Sequence, residues 1–371
     1  MNFDFSDELK QLRDEANRML REQCPPKAVR RVLDGAARYD APLWRQIGEL
    51  GWLGAGIPEE YGGSGLGREG LCVLAEEVGR ALAPVPFSSS VYLATEAIME
   101  LGKDTQKQAW LPLLAGGKLI GTFALAEDAG NPSAGQVRAE VSRGRITGAK
   151  LPVPNGNIAD FAVVAARDVA GTPGLYHVEL KGPGVERRSL RTIDPSCDHA
   201  KLVFNNAPAV LLGASACGWA GIKRLLDRAA VLVAFEQLGG AQACLDMAKN
   251  YAMERYAFGR PIGSFQAIKH KLADIFVAIE LARSNAYYGA WAISTDAAEL
   301  PLAAATARIS ATDAYHLASK ENIQTHGGMG CTWEFDCHLY YRRAKLLALT
   351  LGSAPYWRGQ LLAELDMQHA A

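Results

Sequence analysis

Two segments in the C-terminal half of the chain carry side chains suited to binding a phosphate and a flat ring. The first runs from Tyr251 to Asp274 and places Arg255 one turn before a Phe258-Gly259 break, with Gln266 further on. A guanidinium and an aromatic face at one helix end suit a phosphate beside a planar ring. The amide of Gln266 can donate and accept hydrogen bonds. Alone, however, an arginine such as Arg255 is more often solvated or ion-paired.

The second segment has adjacent glycines after a predicted long helix. It reads Gln324-Thr325-His326-Gly327-Gly328-Met329-Gly330. Because glycine has no side chain, the backbone at Gly327 and Gly328 allows a bulky ligand to approach closely and offers N–H groups to a phosphate. The alternative is a plain glycine cap of the helix, the commoner role of such a stretch in isolation.

A third motif matches a dinucleotide-binding fingerprint in residue spacing but lacks its structural context. Gly65-Leu66-Gly67-Arg68-Glu69-Gly70 has the G-x-G-x-x-G spacing and opens a predicted helix. It follows the turn-like stretch Pro58–Gly63 instead of a buried strand, and no β-α-β unit surrounds it. We therefore predict a loop between helices, and a nicotinamide-binding dehydrogenase is a minor alternative.

Three blocks of hydrophobic periodicity surround these segments. Helical spacing dominates the first part of the chain, alternation with period two begins near Ile120, and helical spacing returns near Cys217. This order predicts an α+β fold with an N-terminal helical domain (1–118), a central antiparallel β-barrel or sandwich domain (119–215) and a C-terminal four-helix bundle (216–371). The helices predicted for the bundle span about 222–256, 265–293, 302–324 and 340–349.

Composition excludes several classes of protein. The 371 residues carry a net charge of −1, unlike the basic footprint of a nucleic-acid binder or a polybasic membrane anchor. The seven cysteines are odd in number and form no C-x-x-C, which favours reduced thiols in a cytoplasmic protein over disulfides or a zinc site. No segment has the roughly 18 uninterrupted apolar residues of a membrane span. No histidine pair has metal-ligand spacing, so we expect no metal.

Together, the Arg255 and Gln324 segments resemble the signature sequences of the acyl-CoA dehydrogenase family of flavoproteins. The first is similar to the family's Glu-Arg-x-x-Phe-Gly with a downstream Gln, and the second to its Gln-x-x-Gly-Gly-x-Gly. Gly51–Gly54 and Ile57–Gly63 extend the resemblance toward the N-terminus. It implies an FAD enzyme that forms an α,β double bond in an acyl-CoA thioester and passes electrons to an electron-transferring flavoprotein. It also implies an oligomer, because the family's FAD sites span two subunits.

The resemblance assigns FAD contacts only where residues match the family motifs. The matching residues are Arg255, Phe258, Gln266, Gln324, Gly327 and Gly328. Ser353 stands where the family commonly has Thr. In family dimers these groups mostly hold the pyrophosphate and adenine half of an FAD that is seated in the neighbouring subunit.

The stretches that line the flavin ring in the family are altered here. Ala126 replaces the Thr of the family's Thr-Glu-Pro, and no clear Gly-Ser-Asp follows. In the family's Gly-x-Lys-x-Trp-x-Thr-Asn, Pro152 replaces the Trp and Pro154 replaces the Thr. Since proline has no N–H, a side-chain donor and a backbone donor are lost together.

The usual catalytic base is also missing. Most members carry it in a Glu-Gly-Thr, which here reads Leu351-Gly352-Ser353, so that Leu351 offers a thioester only its backbone N–H. Relatives with the Glu on the preceding long helix align it with Ala229 or Ala230. Glu236 and Glu127 are weak substitutes, and a contact between helices or subunits is the favoured role for Glu236. The catalytic residue is thus unassigned.

Three hypotheses follow. The first is an acyl-CoA dehydrogenase subunit that completes the FAD site of a different, catalytic subunit, as in family members acting on bulky or dicarboxylic acyl-CoAs such as steroid side-chain thioesters. The second is a self-sufficient homo-oligomeric dehydrogenase with an atypical base. The third is a flavin-free binding or assembly protein of the same fold.

Overall fold

The structure is a computed structural model that describes residues 5–370, with side chains described for residues 5–367. Residues 1–4 of the predicted N-terminal domain lie outside the described residues. The chain forms two compact units. The bundle unit comprises the described residues up to Val29, Cys72–Ala83 and the chain from Ala230 onward, and the sheet unit comprises Arg30–Leu71 and Pro84–Ala229. The three-domain boundaries proposed from the sequence stay a prediction.

Helices dominate the described residues. The α-helices are α1 (Asp7–Gln23), α2 (Pro26–Leu33), α3 (Ala41–Glu49), α4 (Gly67–Arg80), α5 (Glu96–Leu101), α6 (Asp104–Ala115), α7 (Gly218–Glu254), α8 (Gln266–Ser294), α9 (Leu300–His326), α10 (Cys337–Leu349) and α11 (Ala354–Ala370). Ser6 begins α1 by accepting a hydrogen bond from the Leu9 N–H, as its residue type predicts. The glycine motif begins in a loop at Gly65, after a short 3₁₀ helix (Glu59–Tyr61), and its last four residues form the first turn of α4, so no strand among the described residues precedes it, as predicted.

The sheet unit contains one sheet of eight strands in the part of the chain that the structure describes. The strands are β1 (Gly121–Ala124), β2 (Glu140–Ser142), β3 (Arg145–Pro154), β4 (Phe161–Arg167), β5 (Pro173–Glu179), β6 (Val185–Leu190), β7 (His199–Pro208) and β8 (Val210–Leu211). The predicted order of helices, strands and helices is confirmed, but the sheet is mixed where an antiparallel one was predicted. The reason is that β1 pairs in parallel with β4, with Gly121 opposite Phe161, after a connection that contains β2 and β3.

In the bundle unit, α4 and α7 approach until their backbones touch. A Cβ added to Gly79 would lie 2.0 Å from the carbonyl oxygen of Glu236, and one added to Gly239 would lie 1.8 Å from that of Glu76. Any side chain here forces backbone to move, because real Cβ atoms do not approach so closely. Glycine is therefore required on both helices.

Gly239→Ala should lower the free energy of unfolding by about 3 kcal/mol through overpacking. Gly359→Ala in α11 is the matched control, because an added Cβ there meets no atom within 4 Å. In the control, the free energy of unfolding should rise by roughly 0.5–1 kcal/mol, because alanine has a better helix propensity than glycine. Thermal unfolding of both variants checks this, and equal melting temperatures would contradict the close contact.

In the sheet unit, His177 on β5 lies between two aromatic rings. Its ring is parallel to that of Trp110 at 4.1 Å between centroids and stacks on Phe161 at 4.6 Å. Burial in this stack lowers the pKa of His177 to about 4. The histidine is therefore neutral and structural at neutral pH, and it joins α6 to the sheet.

The stability contributed by neutral His177 should depend on pH. The pKa of an exposed histidine is about 6.5, so the unfolded chain takes up this proton as the pH falls below 6.5 while the folded chain excludes it. The contribution of His177 to the free energy of unfolding is fully present above pH 6.5, and about 3 kcal/mol of it is lost as the pH falls toward 4. His177→Phe keeps the stack without the titration. Denaturant unfolding between pH 7 and 4 should show a smaller loss in the variant, and parallel curves would refute the assignment.

Candidate FAD-contacting surface and base positions

The first sequence segment forms an exposed hairpin at the end of α7. Arg255 follows the helix directly, and β9 (Tyr256–Ala257) pairs with β10 (Arg260–Pro261). Phe258 lies at the tip with φ +53° and is 95% exposed. A bulky residue with positive φ and an aromatic ring in water are both uncommon. Their combination makes this tip a candidate contact surface.

Two contacts fix the base of the hairpin. The N–H of Ile262 donates to the carbonyl of Arg255 at 2.7 Å. The guanidinium of Arg260 lies 4.1 Å from the ring centroid of Phe265, whose ring meets Phe258 edge-on at 6.2 Å. Gln266 follows as the first residue of α8 and is exposed. Together with Arg255 and Phe258, it gives one short stretch an exposed cation, ring and amide.

The second segment ends α9 with an open glycine turn. Gly327 has φ +61°, and its N–H donates to the carbonyl of Gln324. Added Cβ atoms at Gly327 and Gly328 would meet nothing within 4 Å, and Gln324 is exposed. The glycine-cap interpretation is therefore correct for Gly327. The same turn also leaves its backbone open to a ligand.

An aromatic cluster joins the two segments. The ring of His326, next to the glycine turn, stacks on Tyr251 of α7 at 4.1 Å, and Phe335 meets both rings edge-on at 5.7 and 6.3 Å. The Nδ1–H of His326 donates to the carbonyl of Asn322 at 2.8 Å. Burial lowers the pKa of His326, which favours the neutral ring. The cluster brings the Arg255 and Gln324 segments together on one unit.

Glu127, one of the two candidate bases, is surrounded by donors in the sheet unit. It accepts hydrogen bonds from Lys150 Nζ at 2.6 Å and from the N–H groups of Arg138 and Ala139 at 2.8 and 2.9 Å. Burial raises the pKa of Glu127, but the hydrogen bond from Lys150 and the other donors outweigh it and lower that pKa. Burial in turn lowers the pKa of Lys150 to about 8 against the effect of Glu127. This carboxylate is poorly suited to take a proton.

Glu236, the other candidate, is buried inside the bundle unit. Its Oε1 lies 3.5 Å from Nη1 of Arg343 on α10, and the two side chains are 6% and 3% exposed. A cation on α10 faces an anion on α7, which is the contact between helices that the sequence interpretation favoured.

The positions that the resemblance assigns to the catalytic base carry apolar side chains. Leu351 is half-buried with φ +62°, and Ala229 and Ala230 are fully buried in α7. In the sheet unit, Pro152 and Pro154 end β3, whose register with β7 shifts between Lys150 and Val153. The stretch that the resemblance assigns to the flavin ring is therefore also irregular in backbone pairing.

Lys150 and Arg308 are buried cations that the sequence interpretation did not identify. Lys150 is part of the Gly148-Ala149-Lys150 motif, so its ion pair with Glu127 was within reach of the sequence. Arg308 on α9 is 1% exposed and lies outside every motif, and its partners are distant in sequence. Only the fold reveals it.

Known proteins resemble the chain over most of its length. Family models of the acyl-CoA dehydrogenase N-terminal and C-terminal domains match residues 6–118 and 216–365. The acyl-CoA dehydrogenase IpdE2 of Mycobacterium tuberculosis is 35% identical over 341 residues, which cover 91% of this chain and 91% of IpdE2. The chain belongs to the acyl-CoA dehydrogenase family. This confirms the predicted family, the oxidoreductase class and FAD as the cofactor, because members are FAD-dependent oxidoreductases.

Two solved structures resemble this acyl-CoA dehydrogenase throughout. A variant of the steroid acyl-CoA dehydrogenase Tcur3481-Tcur3483 matches with a TM-score of 0.89 and 31% identity, covering 98% of this chain and 99% of the other. The ChsE4-ChsE5 complex from Mycobacterium tuberculosis matches with a TM-score of 0.90 and 28% identity, covering 99% of each. These similarities confirm the predicted fold class. No helix among the described residues is long and apolar enough to cross a membrane.

Proposed function

We propose that this acyl-CoA dehydrogenase works as a subunit that completes the FAD site of a catalytic partner. One contrast carries the proposal. The side chains that match FAD contacts are exposed on the bundle unit, whereas Leu351 replaces the base and Pro152 and Pro154 replace flavin-ring contacts. The groups that reach toward another subunit are kept, and the groups that would serve the chain's own reaction are lost.

The exposed surface fits the pyrophosphate and adenine half of FAD. Arg255 supplies a positive charge, Gln266 and Gln324 supply amides, and the turn at Gly327 and Gly328 supplies backbone N–H groups without steric hindrance. The ring of Phe258 offers a face for a planar base. Bound FAD would supply the hydride acceptor for oxidation at the β carbon of the acyl-CoA. The residues named here would hold it and keep its phosphates neutralised.

The α-proton acceptor would come from the partner, because neither local carboxylate suits the task. A general base needs an available lone pair and a pKa near the working pH. Glu127 is held by Lys150 and two backbone N–H groups, and Glu236 is ion-paired to Arg343 within the bundle unit. A homo-oligomeric enzyme with either residue as base is the alternative.

Similar proteins support the substrate class and the assembly. Tcur3481-Tcur3483 is named as a steroid acyl-CoA dehydrogenase, and ChsE4-ChsE5 as a complex of two differently named chains. We infer a bulky, steroid-like acyl-CoA as substrate, a homologous chain as partner and an electron-transferring flavoprotein as electron acceptor. None of the seven cysteines, which all lie within the described residues, forms a disulfide, and this suits the cytoplasm that we propose as location.

Turnover with and without a partner tests the proposal. The chain alone, supplied with FAD, acyl-CoA and an artificial electron acceptor, should show no oxidation above background. Adding a homologous chain that carries the Glu-Gly-Thr base should give turnover at a ratio near one to one. Ordinary turnover by the chain alone would refute the proposal and favour the homo-oligomer.

A further inference from the structure

The turn between α10 and α11, residues 350–353, has an uncommon backbone. Leu351 has φ +62° and Gly352 has φ +114°. The left-handed region costs a residue with a side chain roughly 1–2 kcal/mol. Gly352 is required in addition because a Cβ there would lie 2.5 Å from Cδ1 of Tyr356. Such a conformation persists only where the surroundings enforce it, and strained backbone of this kind concentrates at functional sites.

The buried side chain of Arg308 enforces this turn. Its Nη2 donates to the carbonyl of Leu347 in the last turn of α10 and to that of Thr350 at 2.8 Å. Its Nη1 donates to Oγ1 of Thr312 at 2.8 Å and to Oε1 of Gln237 on α7. Burial lowers the pKa of Arg308 to about 9, against the effect of Glu236, so the group is charged at neutral pH. The guanidinium of Arg308 thus holds the carbonyl groups of Leu347 and Thr350 and is itself fixed by Thr312 on α9 and Gln237 on α7.

The Thr350 carbonyl and the Leu351 N–H belong to the same peptide group. A trans peptide is planar, so its N–H points opposite to its C=O. When Arg308 holds the Thr350 carbonyl, the Leu351 N–H points away from the Arg308 side chain. No backbone carbonyl among the described residues accepts that N–H. A charged donor on the carbonyl also polarises the peptide group and strengthens its N–H as a donor.

We infer that Arg308 is a positioning residue that holds the Leu351 N–H in place to donate to an oxygen of a bound ligand. The inference rests on the proposed function, which supplies two such oxygens, a phosphate oxygen of FAD and the thioester carbonyl of acyl-CoA. Ser353 lies two residues further in the same turn, at a position where the family commonly has Thr. Arg308 itself would touch neither ligand.

Two substitutions at Arg308 and one control isolate this role. Arg308→Lys keeps a buried charge but replaces the two-pronged guanidinium by a single ammonium, which no longer fixes both carbonyls. Arg308→Met removes the charge. Arg283→Met is the matched control, because Arg283 is another partly buried arginine of the bundle unit, with an ion pair to Glu76 at 2.7 Å. All three should lose stability, so each is measured in the assembled flavoprotein below its melting temperature.

The measurements are the dissociation constant for FAD in the apo assembly and, at saturating FAD, KM and kcat for acyl-CoA. If the acceptor is a phosphate oxygen, both Arg308 variants should bind FAD about tenfold more weakly, the value of one lost hydrogen bond. If it is the thioester, FAD affinity is kept and kcat/KM falls about tenfold. Either result, absent in Arg283→Met, supports the inference.

The inference is overturned if FAD affinity and kcat/KM change no more in Arg308→Lys and Arg308→Met than in Arg283→Met. Arg308 would then be a structural residue. The wild-type assembly separates this failure from that of the proposed function. An assembly that binds FAD and turns over only with the partner supports the proposed function whatever Arg308 does.

Discussion

Arg255→Met should weaken FAD binding by the assembled flavoprotein at least tenfold while its melting temperature without FAD stays within a degree. Arg255 is exposed at the end of α7, so its removal costs the fold little. A charge-assisted hydrogen bond to a phosphate is worth about 1.5–3 kcal/mol, which corresponds to roughly 10- to 150-fold in affinity. Titration of FAD into the apo assembly, followed by flavin fluorescence, measures the effect.

A second substitution at the hairpin tip separates the ring from the charge. Phe258→Asn removes the exposed ring but keeps a residue that tolerates positive φ, so the hairpin should stay intact. Together with Arg255→Met, it should weaken FAD binding about a hundredfold. Arg358→Met is the control, because Arg358 is equally a surface arginine and pairs with Asp313 on α9. Unchanged affinity in the double variant would mean that this surface does not hold FAD.

Glu236→Gln should destabilise the protein strongly and leave catalysis by the assembly intact. The substitution removes the carboxylate that faces buried Arg343, and breaking a buried pair on one side costs about 3 kcal/mol or more. If Glu236 were the base, kcat would instead fall by several orders of magnitude. Thermal unfolding and single-turnover flavin reduction at a temperature well below melting measure the two quantities separately.

Glu127→Gln is the companion to this experiment in the sheet unit. It should also lose stability, because buried Lys150 would lose its carboxylate partner. Flavin reduction should again continue at the wild-type rate per bound FAD. Loss of flavin reduction in either variant, with the fold and FAD content preserved, would make that glutamate the base and revive the homo-oligomeric enzyme.

The C-terminal helices could be predicted from the sequence because the apolar residues of a helix recur at a short, regular spacing. The predicted helix at 265–293 is α8 (Gln266–Ser294), and the one at 302–324 is α9 (Leu300–His326). Among the C-terminal helices, the one that was not predicted is α11 (Ala354–Ala370), which follows the turn at Gly352 and shows no clear apolar stripe. Periodicity identifies a helix only when one face is distinctly apolar.

Strand direction and pairing were harder to predict because they depend on distant residues. Val137, Ala139 and Val141 alternate in burial with exposed residues, as a strand would, but β2 begins only at Glu140. The parallel pairing of β1 with β4 has no local signature, since a strand's sequence is the same whichever way its neighbour runs.

The residues proposed to contact FAD came from sequence motifs, whereas the buried charges had no such signal. Arg255, Phe258 and Gly327 occur in short sequence patterns, and their exposure agrees with a role outside the chain's own core. The pair of Glu236 with Arg343 joins residues 107 positions apart, and Arg308 reaches Gln237 and Thr350 in the same way. Such contacts appear only when helices pack.

The most direct test of the central claim is the FAD-to-chain ratio of the protein purified alone and together with a homologous partner that carries the base. The visible spectrum and a sizing column give cofactor content and assembly in one experiment. We expect a colourless or substoichiometric chain alone and a yellow complex when both chains are co-expressed. A yellow homo-oligomer with about one FAD per chain that oxidises acyl-CoA unaided would contradict the account.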